Sequence, residues 1–409
     1  MDNPIPVLIV DDDPTTAAVL RGLLRNLGEG LKCEATCVGT GAEARVEFKR
    51  GVHQLVLLDY LLPDEDGLSL LAAIHVMPEE RRPVVVMLTG AGSEQVAVEA
   101  MKLGAKDYLV KTAMNLTTLR RAIAGALERH RLEERLAEST AQLRRHNAQL
   151  EADLTMAREV QQALLPQHYP IFPTGTASGG SGLLFCHRWL PSHKVAGDFF
   201  TVFPVSDTAA GVFQCDVMGH GVRAALITAL LRGLLREQQA LAADPGAFLG
   251  AVNRQFQAML ARVGDLVFVT AVYLVADARA GEVRLANAGH PNPLYLERSA
   301  GRVTAWMMPD GPGPALGLMP EFTYDTTRRP LAAGDAVLLF TDGIYEVEGV
   351  DGEEFGQSRL RQAVAARLAQ PTGPLLDGIL ADVRAWRPQG TEGLPDDVCL
   401  VAVDRPHEA

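Results

Sequence analysis

The sequence predicts a doubly wound α/β unit, then one long helix, then a second unit whose strands end in acids. Three observations carry this. Up to Val110, short apolar runs alternate with helix-like stretches, and each run ends in a polar side chain. From about residue 116 to 165 there is no Pro, and Gly125 is the only Gly. In the C-terminal half four aspartates stand in turns, three of them beside apolar, strand-like runs at 210–215, 336–340 and 398–403.

The first element is Pro6-Val7-Leu8-Ile9-Val10, which runs into Asp11-Asp12-Asp13. A second run at 55–58 ends in Asp59, a third at 84–88 ends in Thr89-Gly90, and a fourth at 107–110 ends in Lys111. Continuous apolar runs of this length suit buried strands. Helix-like stretches lie between them at 15–27, 67–75 and 93–103. Strands alternating with helices imply a parallel sheet with helices on both faces. In such a sheet ligands sit at the carboxyl ends of the strands, where every polar residue just named falls. Asp11, Asp12 and Asp59 would hold one Mg²⁺. Asp59 would attack a phosphoryl donor through a carboxylate oxygen. Thr89 would donate to the acyl phosphate and Lys111 would neutralise it. Each residue alone has a plainer role. Asp13 before Pro14 is suited to capping a helix, Thr89 to a turn and Lys111 to a solvated charge; their joint placement carries the inference.

Over about residues 5–123 these features resemble the receiver domain of two-component response regulators. The resemblance implies a five-stranded parallel sheet, with Asp59 as the phosphoacceptor of an upstream histidine kinase. Tyr60-Leu61-Leu62-Pro63-Asp64-Glu65-Asp66-Gly67 matches the loop after the phosphoacceptor, so the Leu61 carbonyl is the implied backbone metal ligand. Tyr108 matches the aromatic that changes rotamer on activation. Thr112 departs from the family, where a Pro, often after a cis bond, usually follows the Lys, so the local loop geometry is open.

The Pro-free stretch is rich in Ala, Leu, Glu, Arg and Gln, all good helix formers. About 50 residues of helix span about 75 Å and need a partner. Leu136, Leu143, Leu150, Ala157 and Leu164 recur every seven residues, the spacing of a coiled-coil seam. Their companion layers, such as Glu133, Thr140 and Asn147, are mostly polar. One alternative is a helix packed on its own C-terminal unit. The expectation favoured here is a marginal parallel homodimer whose register or angle a modest input can shift. Pro166 stops the helix, and residues 172–182 read as a Gly/Ser/Thr/Pro loop.

The four aspartates of the second half are Asp198 in Val195-Ala196-Gly197-Asp198-Phe199-Phe200, Asp216 in Asp216-Val217-Met218-Gly219-His220-Gly221, Asp342 in Thr341-Asp342-Gly343 and Asp396 in Pro395-Asp396-Asp397-Val398. Singly, each is an ordinary turn former. Together they are hard oxygen ligands, suited to Mg²⁺ or Mn²⁺ in a two-metal hydrolytic centre. With Asn287-Ala288-Gly289-His290 and Gly313-Pro314-Ala315-Leu316-Gly317-Leu318, they resemble the PPM family of metal-dependent serine/threonine phosphatases, in its stage-II-sporulation subclass, over about residues 164–403. The segment 157–166 resembles the helix that precedes such domains and couples regulation to the metal site. Ala196 stands where a Gly is usual, and Thr201 where a further Asp is common. The implied fold is an α+β β-sandwich flanked by helices, after a receiver at 1–124 and a helical coiled-coil linker at 125–165, with the phosphatase domain at 166–409.

The resemblance also implies a division of labour. Asp198 bridges two Mg²⁺ or Mn²⁺ ions, Asp216 and the Val217 carbonyl complete one side, and Asp342 and Asp396 complete the other. Water between the ions attacks the phosphorus in line, without a covalent enzyme intermediate. Asp397 is a supporting residue or a spare ligand. His220 and His290 either protonate the leaving serine oxygen or hydrogen-bond structurally, with the structural role favoured. The implied substrate is a phosphoserine protein, a small anti-sigma-factor antagonist.

Composition agrees with this reading. Hydrophobic residues make up 47% of the 409, enough for sizeable cores, and the net charge of −12 opposes nonspecific nucleic-acid binding. No apolar run is long enough for a membrane span, and Met1-Asp2-Asn3-Pro4 shows no secretory signal. Five scattered cysteines read as reduced thiols of a cytoplasmic protein. The main rival is a non-catalytic adaptor that binds a partner through a phosphatase-like domain, against which stand four intact acids. A nucleotide cyclase is disfavoured because Phe199 stands where an acid is needed, and a DNA-binding regulator because no basic recognition helix follows the receiver.

Overall fold

The computed structural model describes residues 4–28, 30–78, 81–90, 94–174, 181–219, 221–261, 266–388, 390 and 393–407. The chain divides into two compact units, Met1–Asn147 and Ala148–Ala409.

The first unit is a five-stranded, all-parallel sheet of order β2-β1-β3-β4-β5, with β1 Ile5–Val10, β2 Cys33–Val38, β3 Leu55–Asp59, β4 Val84–Thr89 and β5 Asp107–Val110. The period of two along a strand sorts its side chains to two faces. Val7, Ile9, Leu57 and Val86 pack with Leu20 and Leu24 of α1 (Pro14–Arg25) and with Leu119 and Ile123 of α5 (Leu116–Leu164). Leu8, Val10, Leu58 and Met87 pack with Phe48 of α2 (Gly41–Arg50), with Leu70 and Ile74 of α3 (Gly67–His75) and with Ala100 of α4 (Glu94–Lys102). Burial on both faces is why β1, β3 and β4 are written as unbroken apolar runs. The expected helix at 93–103 is α4, although Ser93 itself lies outside the described residues.

Asp13 caps α1, accepting from the Thr15 and Thr16 amides, with Pro14 in the first turn. Its role is therefore structural. Helix α5 begins within the first unit, where Leu119, Ala122, Ile123 and Ala126 are buried. Leu136, Leu143 and Leu150 of the heptad stripe are exposed. The last turns belong to the second unit, where Gln161 is buried and Leu164 packs on the core.

The second unit adds strands β6 Leu184–Leu190, β9 Val269–Asp277, β10 Glu282–Ala288, β11 Leu294–Glu297, β12 Arg302–Ala305 and β13 Thr327–Pro330 to the four named next, in two antiparallel five-stranded sheets ordered β13-β10-β9-β8-β7 and β12-β11-β14-β15-β6. The strands that position the acids are β7 Phe199–Pro204, β8 Ala209–Val217, β14 Ala336–Phe340 and β15 Val398–Asp404. Alternation again builds the layers. Val337, Leu339, Cys399 and Val401 share one core with Val212, Leu274 and Leu285 of the facing sheet, while Leu338, Phe340, Leu400 and Ala402 pack with Leu360 of α8 (Gly356–Ala366) and Ile379 of α9 (Thr372–Trp386). On the outer side of the first sheet lie α6 (Val222–Glu237) and α7 (Pro245–Leu260), bringing Leu231, Leu234, Phe248 and Val252 into its core. The result is a β-sandwich flanked by helices.

Candidate active site

In the first unit, Asp11 follows β1 and Asp59 ends β3, so the parallel sheet brings them side by side. Both are buried, whereas Asp12 is exposed. One ligand oxygen from each of the three lies within 4.8 Å of the others. Lys111, opening the turn after β5, reaches back with Nζ 2.7 Å from Asp11 Oδ2 and 2.7 Å from Asp59 Oδ2. Burial raises the Asp59 carboxyl above its ordinary range, and the Lys111 ammonium offsets part of that. For Lys111 burial acts downward, but hydrogen bonds to Asp11 and Asp59 outweigh it and its pKa rises. Thr89 closes β4, its Oγ1 donating to the Leu109 carbonyl at 3.5 Å, the outer limit of such a bond. Tyr108 is 44% exposed and so presents its ring outward. The loop after Asp59 is fastened at several points. Asp64 accepts from the Gly41 and Ala42 amides, Glu65 pairs with Arg45, and Leu61 bridges Asp66. The Lys111–Thr112 bond is trans, so replacing Pro by Thr leaves an ordinary 3-10 turn there.

In the second unit the four aspartates converge from three strand ends and a loop. Asp198 precedes β7, Asp216 is the penultimate residue of β8, Asp342 follows β14 by one turn residue, and Asp396 precedes β15. Asp198 is buried, Asp216 and Asp342 are half-buried, and Asp396 is exposed, which describes a cleft with a buried floor and an open rim. Burial pushes the Asp198 carboxyl far up, with Asp216, Asp397 and Asp342 adding repulsion. Asp216 is pushed up to about 8 by burial and then by Asp342, Asp396, Asp397 and Glu346. Asp342 is raised by burial and by Asp396. The charges acting most strongly on this group are thus all carboxylates. Mutually repelling acids in a partly buried cleft are the donor set of hard divalent cations, so the residues fit Mg²⁺ or Mn²⁺. They gather more loosely than the receiver acids: among the described residues, the trio with ligand oxygens within 4.8 Å is Asp11, Asp12 and Asp59.

Supporting contacts distinguish the acids. Asp198 Oδ2 accepts from Thr341 Oγ1 at 2.6 Å, and Thr341 Oγ1 accepts from the Cys399 amide at 2.9 Å. One Asp198 oxygen is therefore committed, whereas Asp216 faces the other acids. Asp397 has both oxygens occupied, Oδ1 by the Ser192 amide and hydroxyl and Oδ2 by the Gly197 amide at 2.6 Å. It fastens the 192–197 loop.

Close approach requires one glycine and crowds a second. A Cβ at Gly343 would lie 2.0 Å from the Asp397 carbonyl oxygen, so only glycine lets the Asp342 turn touch the Asp396 loop. A Cβ at Gly197 would lie 3.0 Å from the Val217 carbonyl and 3.4 Å from Asp216 Oδ1.

His290 is buried. Its Nδ1 stands 2.9 Å from Thr270 Oγ1, and its backbone is tied to the Asn287 amide group from both sides. Burial depresses its pKa to about 3, which favours the neutral ring. His220 lies outside the described residues.

Two contributors, Glu346 and Gln161, escape motif reading, and a third, Thr341, stands inside the Thr341-Asp342-Gly343 motif with no role read from it. Glu346 stands one turn after Asp342 and adds to the cleft's negative charge. Thr341 orients Asp198. Gln161, on α5, binds the Ala196 backbone two residues before Asp198. The sequence signal for Gln161 was only a polar residue in a half-apolar helix, although the segment around it was expected to pack on the catalytic unit.

Comparison with known proteins agrees with the two-unit fold. Residues 7–124 match the response regulator receiver domain, and residues 206–406 match the Stage II sporulation protein E (SpoIIE) family. Protein IcfG of Synechocystis sp. (strain ATCC 27184 / PCC 6803 / Kazusa) is 26% identical over 280 residues, covering 62% of this chain and 41% of that protein. Phosphoserine phosphatase RsbP of Bacillus subtilis (strain 168) is 25% identical over 156 residues, 38% of each chain. The chain thus spans only about two fifths of the length of these two relatives. The SiaA-PP2C domain of Pseudomonas aeruginosa superposes with a TM-score of 0.52 at 24% identity, over 63% of this chain and 97% of that one, a likeness of fold.

Proposed function

From the premise that this chain joins a response regulator receiver domain to a SpoIIE-type phosphatase domain, we propose that it is a metal-dependent protein serine phosphatase gated by phosphorylation of Asp59. The observation that carries the hydrolytic half is the cleft of mutually repelling acids, with Asp342, Asp396, Asp397 and Glu346 all raising Asp216 and Asp216 raising Asp198. Asp198, Asp216, Asp342 and Asp396, with the Val217 carbonyl, would hold two Mg²⁺ or Mn²⁺ ions. Asp198 would offer the ions the oxygen that Thr341 leaves free. Bound metal supplies charge neutralisation on the phosphoryl group and acidifies a water nucleophile. The chain's own part is positional: Thr341 aims Asp198, Asp397 fixes the 192–197 loop, and neutral His290 holds the 287–290 turn.

In the receiver, Asp59 is the phosphoacceptor. Asp11, Asp12, Asp59 and the Leu61 carbonyl would hold one Mg²⁺, with Lys111 and Thr89 receiving the phosphoryl oxygens. The family points to a histidine kinase upstream and to a phosphoserine protein downstream, an anti-sigma-factor antagonist. The exposed Leu136, Leu143 and Leu150 support a homodimer through α5. No helix among the described residues is long and apolar enough to cross a membrane.

The deciding experiment is hydrolysis of a phosphoserine protein with Mn²⁺ or Mg²⁺, with and without beryllofluoride on the receiver. Metal-dependent turnover that shifts with beryllofluoride supports a gated phosphatase. A folded, metal-loaded protein without turnover in either state would leave the adaptor reading.

A further inference from the structure

The four acids of the cleft stand on two walls. Asp198 and Asp216 adjoin the sheet that holds β7 and β8, and Asp342 and Asp396 adjoin the sheet that holds β14 and β15. Like charges on facing walls push them apart.

The ties between the walls, just beneath the cleft, are polar. Gln214 lies on β8 two residues before Asp216, so the two side chains share one face of the strand. It is fully buried, and Val212, two residues further back on that face, belongs to the apolar core. Gln214 Nε2 crosses to the facing sheet and donates to the Cys399 carbonyl on β15 at 2.7 Å. Thr341 clasps the same residue twice: its amide donates to the Cys399 carbonyl at 3.1 Å, and its Oγ1 accepts from the Cys399 amide. That Oγ1 donates in turn to Asp198 Oδ2. Trp189, opposite Cys399 on β6, donates through Nε1 to the Asp198 carbonyl at 3.1 Å. Cys399 is thus where the strand of Asp216, the Asp198 carboxylate and the strand after Asp396 are joined.

An amide is an expensive side chain for this position. The rest of it meets the Cys399 thiol, a weak partner, and Oε1 is buried without a hydrogen bond among the described residues. The Cys399 carbonyl would keep the Thr341 amide if Gln214 were absent. An apolar side chain of similar size would therefore serve stability at least as well. It could not supply a directional bond from sheet to sheet.

On the reading that this cleft holds two metal ions, we propose that Gln214 is a positioning residue of the metal centre. By tying β8 to Cys399 it sets the distance of Asp216 from Asp342 and Asp396 before an ion arrives. Without the tie the repelling acids relax apart, and an incoming ion must draw them together, at the expense of affinity.

The test is Mn²⁺ titration of the full chain followed by thermal melting, in wild type, Gln214→Met, Gln214→Leu and Asp342→Asn. The cleft's share of the Mn²⁺ effect is the part that Asp342→Asn loses. In chelator, Gln214→Met and Gln214→Leu are expected to melt at or above wild type. Both should need about ten-fold more Mn²⁺ for the cleft's share, the lower end of what loss of a supporting contact costs a metal site. Turnover should fall more at limiting than at saturating Mn²⁺. An unchanged Mn²⁺ requirement in both variants would overturn the proposal and leave the metal centre standing. Melting clearly below wild type in chelator, in both variants, would also overturn it, since Gln214 would then merely hold the fold. A Mn²⁺ effect that Asp342→Asn leaves intact would overturn the metal-centre reading itself, and the proposal with it.

Discussion

Gln161 holds Ala196 by both ends of its amide. Its Nε2 donates to the Ala196 carbonyl at 2.7 Å and its Oε1 accepts from the Ala196 amide at 3.0 Å, while Nε2 also lies 3.3 Å from Thr228 Oγ1 on α6. A residue of the long helix is thereby joined to the loop that carries Asp198, and to α6. Gln161 is 2% exposed, so neither Ala196 group has water to fall back on.

Gln161→Ala is expected to leave both Ala196 backbone groups unsatisfied, at about 1–3 kcal/mol for each buried group. The Asp198 loop should loosen, and metal-dependent turnover should fall more than global stability explains. Gln161→Glu keeps the acceptor but loses the donor, and should fall between wild type and Ala. Turnover against metal concentration, with melting curves for each variant, checks this. Equal turnover in all three proteins would dissociate the helix from the active site.

Asp342→Asn should separate activity from stability. Removing one charged ligand is expected to cost more than the 10–100-fold that loss of a supporting residue costs a metal site. Without metal the same change relieves repulsion, because Asp342 is the strongest charge acting on Asp216. The metal-free variant should therefore melt above metal-free wild type, and added Mn²⁺ should stabilise it less. Differential scanning fluorimetry with and without chelator reads both effects. A variant that melts lower in chelator and still turns over would contradict the cleft described here.

Much of this was legible in the sequence, and the misses have physical causes. Strands β1, β3 and β4 were plain because burial on both faces forces unbroken apolar runs. Strand β2 was not, since it lies at the sheet edge and Cys33–Val38 is only half-buried along its length. The four aspartates stood out because each needs its own short turn motif. Glu346 has none, and only the turn after β14 brings it to the cleft. Gln161 occupies one of the polar companion positions of the heptad seam. Periodicity along a helix separates faces, but it does not say which polar residue on a face meets a specific backbone group of another segment.

Lys111→Ala removes the cation that two acids share. Breaking a buried pair typically costs 3–5 kcal/mol, but Lys111 is a quarter exposed, so about 2 kcal/mol is expected for the metal-free receiver. Mg²⁺ should recover more stability in the variant than in wild type, because it then supplies the only counter-charge between Asp11 and Asp59. Chemical denaturation with and without Mg²⁺ measures the difference. An identical Mg²⁺ increment in both proteins would argue that Lys111 and the ion act independently.

His290 sets an acid limb of stability that is separate from catalysis. Its pKa is depressed from 6.5 to about 3 by burial, so the folded ring stays neutral where an unfolded one takes up a proton. The unfolded state then binds one more proton, and stability rises with pH at about 1.4 kcal/mol per unit across that window. The contribution is fully present above pH 6.5 and is lost as pH falls toward 3. His290→Gln, which cannot titrate, should flatten the slope by one proton's worth while lowering stability at neutral pH through its poorer fit to Thr270 and Asn287. Proton uptake on unfolding, measured by denaturation at several pH values between about 5 and 7, decides this. An unchanged slope in His290→Gln would mean that the ring takes up its proton equally in the folded and unfolded states, which would reopen its candidacy as the group that protonates the leaving oxygen.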